Sequence, residues 1–256
     1  MRKVYHVKMN YFLMFLTAVL IPTVCAATPK KCVSKTITIA VIDTGFGLNG
    51  AQYKAKLCKF GHRNFSKNEE VSTAYGTVDP IPVDHHSHGT NIVGLIDKYA
   101  RGSGSDYCMV ILKYYDPQQA GSNNLKSTIE AIKYATNIHA DFINYSGGGT
   151  GYSAPEKEAV EIFLDQGGRF VAAAGNEASD LKTHPYYPAT YDSRIVVVGN
   201  KNIYEYRSPT SNYGTRVDRW EYGENAEGLG IILSGTSQAT AIATGKLVLE
   251  TKNVCK

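Results

Sequence analysis

The chain lacks a charge excess, a membrane-length apolar run and any closely spaced cysteine pair, and each absence removes a class of function. Lys and Arg number 27 against 23 Asp and Glu, but Arg2, Lys3 and Lys8 all fall within the first ten residues. Beyond residue 26 the balance is 24 to 23, a net of +1. A surface that tracks phosphates needs a clear local excess of Lys and Arg, so nucleic acid is excluded as a partner. The apolar run 11–21 would rise about 16 Å as a helix, about half of a ~30 Å hydrocarbon core, so no stable membrane anchor is expected. Five cysteines are present without a C-x-x-C pair, which argues against a zinc knuckle. Internal repeats and low-complexity tracts are also missing. With 43% hydrophobic and 20% charged residues, the chain carries enough apolar material for one core and too much for a disordered segment.

The early cations, the apolar run, Pro22 and the small-residue ending Val24-Cys25-Ala26-Ala27 together have the layout of a secretory signal peptide over residues 1–26. A secreted or periplasmic location follows from it. A lipid anchor on Cys25 is disfavoured, because Val24 stands where a small residue is needed. Cleavage after Ala26 leaves Cys32, Cys58, Cys108 and Cys255, an even number as disulfides in an oxidising compartment require. Four cysteines allow three connectivities, and the sequence does not choose among them.

Beyond the leader, continuous apolar runs at 36–42, 109–112, 142–143, 170–174 and 195–198 read as strands covered on both faces. Between them Leu125, Ile129, Ile132 and Ile138 approximate one helical face. Pro155 opens a second helix that Gly167 and Gly168 can close. Such alternation predicts an α/β fold, a mainly parallel, doubly wound sheet with helices on both faces. Chemistry in such a sheet sits at the carboxyl ends of the strands.

The first strand ends in Asp43-Thr44-Gly45, which taken alone is an ordinary turn. The next notable stretch, Asp84-His85-His86-Ser87-His88-Gly89-Thr90, places three histidines in four positions. Adjacent and i+2 histidines do not share a helical face, so a metal site is not expected, and His88 at a helix start suits a general base better. Near the C-terminus, Gly235-Thr236-Ser237-Gln238-Ala239 opens a run of small residues. Close helix packing would explain that run, but Ser237 would also carry an exposed hydroxyl at the favourable end of a helix dipole.

Asp43, His88 and Ser237 occur in the order Asp, His, Ser, and here the chain resembles the subtilisin-like serine peptidases. The motifs that carry the resemblance are Asp43-Thr-Gly, His88-Gly-Thr, Gly235-Thr-Ser237-x-Ala and Ala173-Ala-Gly-Asn176. Weaker matches are Tyr145-Ser-Gly-Gly148, Tyr187-Pro-Ala189 and Ser211-Asn-Tyr-Gly214, and the whole covers roughly residues 36–250. The resemblance implies a subtilisin-like fold with Ser237 as nucleophile, His88 as base, Asp43 as its orienter and Asn176 as oxyanion donor. It also implies that Ser146, Gly147 and Gly148 bind an extended peptide, beside Ala174 and Gly175. It makes the strands that follow Cys58 and Cys108 parallel neighbours, and with that implies the pairs Cys58 with Cys108 and Cys32 with Cys255.

The implied activity is peptide-bond hydrolysis by a secreted serine endopeptidase acting on peptide or protein substrates as a monomer. No cofactor is expected. Calcium is common among such proteins, but no carboxylate cluster with recognisable ligand spacing stands out. Two departures from the pattern are Ala241, where the family usually has proline, and the sixteen residues 27–42 before Asp43, too few for a usual folding prodomain. Residues 27–256 therefore read as a minimal catalytic domain without a prodomain. The rival readings are an inactive peptide-binding protein and an acyl hydrolase or transpeptidase on the same scaffold.

Overall fold

The computed structural model describes Met1 and residues 35–47, 54–66, 71–72, 79–102, 106–117 and 124–251. The leader, and with it the expected signal peptide, lies outside the described residues, as do Cys32 and Cys255.

Seven strands form one sheet: β1 (Ile37–Asp43), β2 (Arg63–Asn64), β5 (Tyr107–Lys113), β6 (Phe142–Tyr145), β7 (Arg169–Ala173), β8 (Val196–Lys201) and β9 (Arg219–Tyr222). Their order is β2-β5-β1-β6-β7-β8-β9, and every pairing is parallel. Two small antiparallel pairs stand apart from the sheet, β3 (Val71–Ser72) with β4 (Ile81–Pro82) and β10 (Ala226–Gly228) with β11 (Ile231–Leu233). The helices are α1 (His88–Ala100), α2 (Asn124–Asn137), α3 (Ala154–Asp165) and α4 (Thr236–Glu250).

The two-residue period of the strands divides the core. Ile37, Ile39 and Val41 of β1, with Met109 and Ile111 of β5, pack under α1 and α4. Ala40, Ile42, Val110 and Leu112 point the other way, under α2 and α3. Burial on both faces explains why these strands read as unbroken apolar runs. Helix α4 is buried over most of its surface, and its small residues allow close approach: a Cβ at Gly245 would lie 2.8 Å from the Ile96 carbonyl oxygen of α1.

Helix α3 starts and stops as its residues predict. Ser153 caps it by accepting the Glu156 N–H at 3.3 Å, Pro155 lies in the first turn, and the N–H groups of Gly167 and Gly168 close on Leu164 and Phe163 carbonyls. Helix α2 departs from expectation in part: Ile129, Ile132 and Ile138 pack against the core as expected. Leu125 is exposed and Ile138 lies past the helix end, whereas the buried face is Ser127, Thr128, Ala131, Ile132, Ala135 and Thr136. Small residues serve there because α2 packs tightly against both the sheet and α3. The expected second strand shortens to Arg63–Asn64, preceded by a single parallel bridge between Leu57 and Met109.

Candidate active site

The strand order reverses about β1, which has β5 on one side and β6 on the other, so a crevice opens at the carboxyl ends of these strands. Asp43 ends β1, Ser146–Gly148 follow β6 and Ala174–Asn176 follow β7. His88 and Ser237 arrive from the other direction, at the N-terminal ends of α1 and α4. The fold thus gathers residues distant in sequence at one end of the sheet.

Asp43 is buried, and its Oδ1 accepts the Thr44 N–H at 2.8 Å and lies 2.8 Å from His88 Nδ1. A carboxylate can only accept, so His88 carries its proton on Nδ1 and leaves Nε2 bare. Burial lowers the affinity of His88 for a second proton. Attraction to Asp43, the Asp43 hydrogen bond and the nearby Asp84 outweigh that cost and raise its pKa above the ordinary value.

Ser237 and Ser146 are joined twice. The Ser237 hydroxyl donates to the Ser146 carbonyl oxygen at 2.8 Å, and the Ser146 hydroxyl donates to the Ser237 carbonyl oxygen at 2.9 Å. Ser146 is itself held from below by Asn144, whose amide donates to its hydroxyl at 3.1 Å and accepts from Thr244 of α4 at 2.8 Å. Asn176 Oδ1 accepts the Thr236 N–H at 3.0 Å and the Thr236 hydroxyl at 3.1 Å. Because an N–H can only donate, the orientation of the Asn176 amide is fixed with its NH₂ turned away from Thr236.

Of the other expected substrate contacts, Gly148 is exposed, and the carbonyls of Ala174 and Gly175 are both taken by Asn212, at 2.8 and 3.0 Å. The three histidines diverge. His85 Nδ1 lies 3.1 Å from Asp116, His88 turns to Asp43, and His86 is exposed. Among the described residues, no group of three or more His, Cys, Asp or Glu is placed to hold a metal ion.

Several residues that position the site carry no role in the sequence reading. Asp84 accepts the Thr44 hydroxyl and the N–H groups of His86 and Ser87 on one oxygen, at 2.8, 2.9 and 2.9 Å. Its other oxygen takes the N–H and hydroxyl of Thr90, at 2.8 and 2.6 Å. Thr44 in turn accepts the Gly89 N–H at 2.8 Å, so the start of α1 is capped from outside its own chain neighbourhood. Local capping rules would choose Ser87, which has φ 70° and makes no side-chain cap. Asn91 of α1 accepts from Gln238 of α4 at 3.1 Å, which links the helices that carry His88 and Ser237. Asn212 holds the Asn176 loop, because its Oδ1 accepts the N–H groups of Glu177 and Ser179 at 3.0 and 2.9 Å. The resembling segment 211–214 marked this position without giving it a task.

A family model described as "Subtilase family" matches residues 34–253 of the chain. The chain belongs to the subtilase family. "Major intracellular serine protease" of Bacillus subtilis is 30% identical over 234 residues, 86% of this chain and 70% of that one. "Subtilisin-like protease 1" of Pseudogymnoascus destructans is 29% identical over 81% of this chain, which spans only 50% of its length. Among solved subtilases, a cold adapted subtilisin-like serine proteinase aligns with a TM-score of 0.67 and 26% identity, covering 84% of this chain and 74% of that one. The likeness bears out the mainly parallel α/β fold. Among the described residues, no helix is long and apolar enough to cross a membrane.

Proposed function

We propose that this subtilase is an exported serine endopeptidase in which Asp43, His88, Ser237 and Asn176 carry out acyl transfer from peptide to water. The observation that supports it most is the 2.8 Å bond between Asp43 and His88 Nδ1, which leaves Nε2 without a proton and so able to accept one.

A rotation about the Ser237 Cα–Cβ bond moves its hydroxyl from the Ser146 carbonyl toward His88. Nε2 then takes the proton as Oγ bonds to the substrate carbonyl carbon. The carbonyl oxygen gains negative charge, which the Asn176 NH₂ and the Ser237 N–H stabilise as donors already in place. His88 passes the proton to the departing amine as the C–N bond breaks, and water repeats the sequence to release the acid. No cofactor enters these steps.

Export rests on residues 1–26 and on the Cys58–Cys108 disulfide, which suits an oxidising compartment. Family membership alone fixes no compartment, since the Bacillus subtilis relative is by its name intracellular. The test is a serine-directed phosphonate probe followed by peptide mapping, beside a Ser237→Ala variant. Label on Ser237 and loss of hydrolysis in a folded Ser237→Ala protein are the expected results. Full activity in that variant would overturn the mechanism.

A further inference from the structure

The substrate residue that supplies the scissile carbonyl must present its carbon to Ser237 and its oxygen to Asn176. Ser237 is tied to Ser146 on one side, and Asn176 follows Gly175 on the other. The side chain of that residue therefore starts between the segment 146–148 and the segment 174–176. What fills the space between them decides which side chains enter.

The ring of Tyr186 fills it. A Cβ built on Gly148 would fall 2.5 Å from Tyr186 Cε1, and one built on Gly175 would fall 2.9 Å from Tyr186 Cδ2. These two carbons are opposite corners of the same ring, so the ring bridges the gap from one glycine segment to the other. Its position is fixed: the neighbouring Tyr187 pairs with Gly149 through bonds of 2.9 and 2.7 Å, and Tyr186 is only 9% exposed. Both glycines have left-handed backbones, φ 150° at Gly148 and 97° at Gly175, which a larger residue would strain as well as crowd. Burial, with Glu177 nearby, pushes the Tyr186 hydroxyl up to about 12, so the ring stays neutral across the working range.

Resting on the peptidase reading above, we infer that Tyr186 is the specificity-determining floor of the subsite beside Ser237. It restricts the residue before the scissile bond to small side chains such as those of glycine, alanine and serine. An aromatic or long aliphatic side chain meets the ring before its carbonyl reaches Ser237, and a packed interior resists such overfilling.

The test compares peptide p-nitroanilides that differ only at this residue, alanine against phenylalanine, in the full-length protein and in Tyr186→Ala and Tyr186→Phe. The unsubstituted protein should favour alanine in kcat/KM by about tenfold or more. Tyr186→Ala should raise the phenylalanine-to-alanine ratio by a similar factor, whereas Tyr186→Phe, which keeps the ring, should keep the ratio. Should Tyr186→Ala fail to fold, the preference of the unsubstituted protein and the Tyr186→Phe ratio decide the matter. Phosphonates bearing a methyl or a benzyl side chain, with mapping of the labelled residue, separate the two levels of the argument. Label on Ser237 that is faster from the benzyl probe overturns the Tyr186 floor and leaves the peptidase reading intact. Absence of label on Ser237 from either probe overturns both.

Discussion

Asp84 receives the Thr44 hydroxyl at 2.8 Å and the Thr90 N–H at 2.8 Å on its two carboxylate oxygens, so one buried side chain ties the loop after Asp43 to the first turn of the helix that begins at His88. The distance between an acid and its imidazole is a matter of tenths of an ångström, and here it is set by a third residue. Lys113 adds to the same frame. It is buried opposite Asp43 in the β1–β5 register and donates to the Val83 carbonyl at 2.6 Å, immediately before Asp84.

Removing Asp84 should therefore harm both stability and rate. Asp84→Ala strands the Thr44 and Thr90 hydroxyls and three N–H groups, and should cost about 3 kcal/mol or more in urea unfolding. Asp84→Asn keeps one acceptor oxygen and should fold better, yet lower kcat through misplacement of His88. Asp84 also helps to hold the His88 proton, so the acid limb of kcat/KM should move to lower pH in Asp84→Asn. An unmoved limb would reduce Asp84 to scaffolding.

Asn176→Ala should lower kcat by about 10² to 10³, with a smaller change in KM, because its NH₂ acts on charge that exists only in the transition state. Its Oδ1 also caps α4 through Thr236, so a modest loss of stability should accompany the variant. An effect confined to KM would assign Asn176 to substrate binding instead.

The pH profile follows from the raised His88 pKa. Only neutral His88 accepts the Ser237 proton, so kcat/KM should fall with decreasing pH through a value above the ordinary histidine figure of about 6.5. Stability runs the opposite way: the His88 contribution is fully present below about 6.5 and is lost as pH rises through the folded pKa. Asp43→Asn should lower the acid limb and reduce kcat by about 10⁴, since the imidazole then loses both its partner and its tautomer. An acid limb below 6.5 in the unsubstituted protein would contradict the arrangement.

The central strands were legible because they are buried on both faces and carry little but apolar residues. Strand β9 was not: Arg219-Trp-Glu-Tyr222 is half polar, as an edge strand paired only with β8 is free to be. Asp43, His88, Ser237 and Asn176 stood out through motif resemblance, since each sits in a short run whose neighbours are as constrained as itself. Asn91 and Asn144 did not, because the bonds that tie them to Gln238 and Thr244 of α4 bridge long stretches of the chain. Asp84 holds near neighbours as well as distant Thr44, and Asn212 lies in a segment that the resemblance marked, yet the residue types alone do not tell which backbone groups each side chain receives. The expected face of α2 held at Ile129, Ile132 and Ile138, which pack against the core, and missed at Leu125, which is exposed. Periodicity finds large apolar residues such as Ile132, whereas the small residues that α2 also buries, Ser127, Thr128, Ala131, Ala135 and Thr136, leave no such trace.

The Cys58–Cys108 disulfide agrees with the pairing that the family resemblance implies, with Cα atoms 4.8 Å apart, whereas Cys32 and Cys255 lie outside the described residues. The bond joins β5 to the segment leading into β2, where backbone pairing is sparse. With a sequence separation of 50, the chain-entropy model gives a stabilisation of about 4 kcal/mol as an upper figure. Cys58→Ser with Cys108→Ser should lower the unfolding midpoint accordingly, and peptide mapping of the unreduced protein should recover the linked pair. Free thiols at both positions would refute the bond.

His62 closes the gap that the shortened second strand leaves. Its Nδ1 accepts the Ile111 N–H of β5 at 3.0 Å, so the proton must sit on Nε2, which donates to the Cys58 carbonyl at 2.9 Å. The ring thus stands in for a missing stretch of backbone pairing beside the disulfide. Burial lowers the His62 pKa, and neither the Cys58 bond nor nearby Asp79 restores it. A protonated Nδ1 could not accept from Ile111. The unfolded chain therefore binds a proton that the folded chain refuses, and stability should fall as pH drops from about 6.5 through the lowered folded value. His88 contributes with the opposite sign, so the informative quantity is the difference between the unsubstituted protein and His62→Gln, whose amide can donate and accept without titrating. Measured by urea unfolding, that difference should shrink steadily as the solution is acidified from pH 7.5 to 5, about the range in which an ordinary and a lowered histidine separate. A constant difference across this range would mean that His62 keeps its bonds when protonated, which the Ile111 contact forbids.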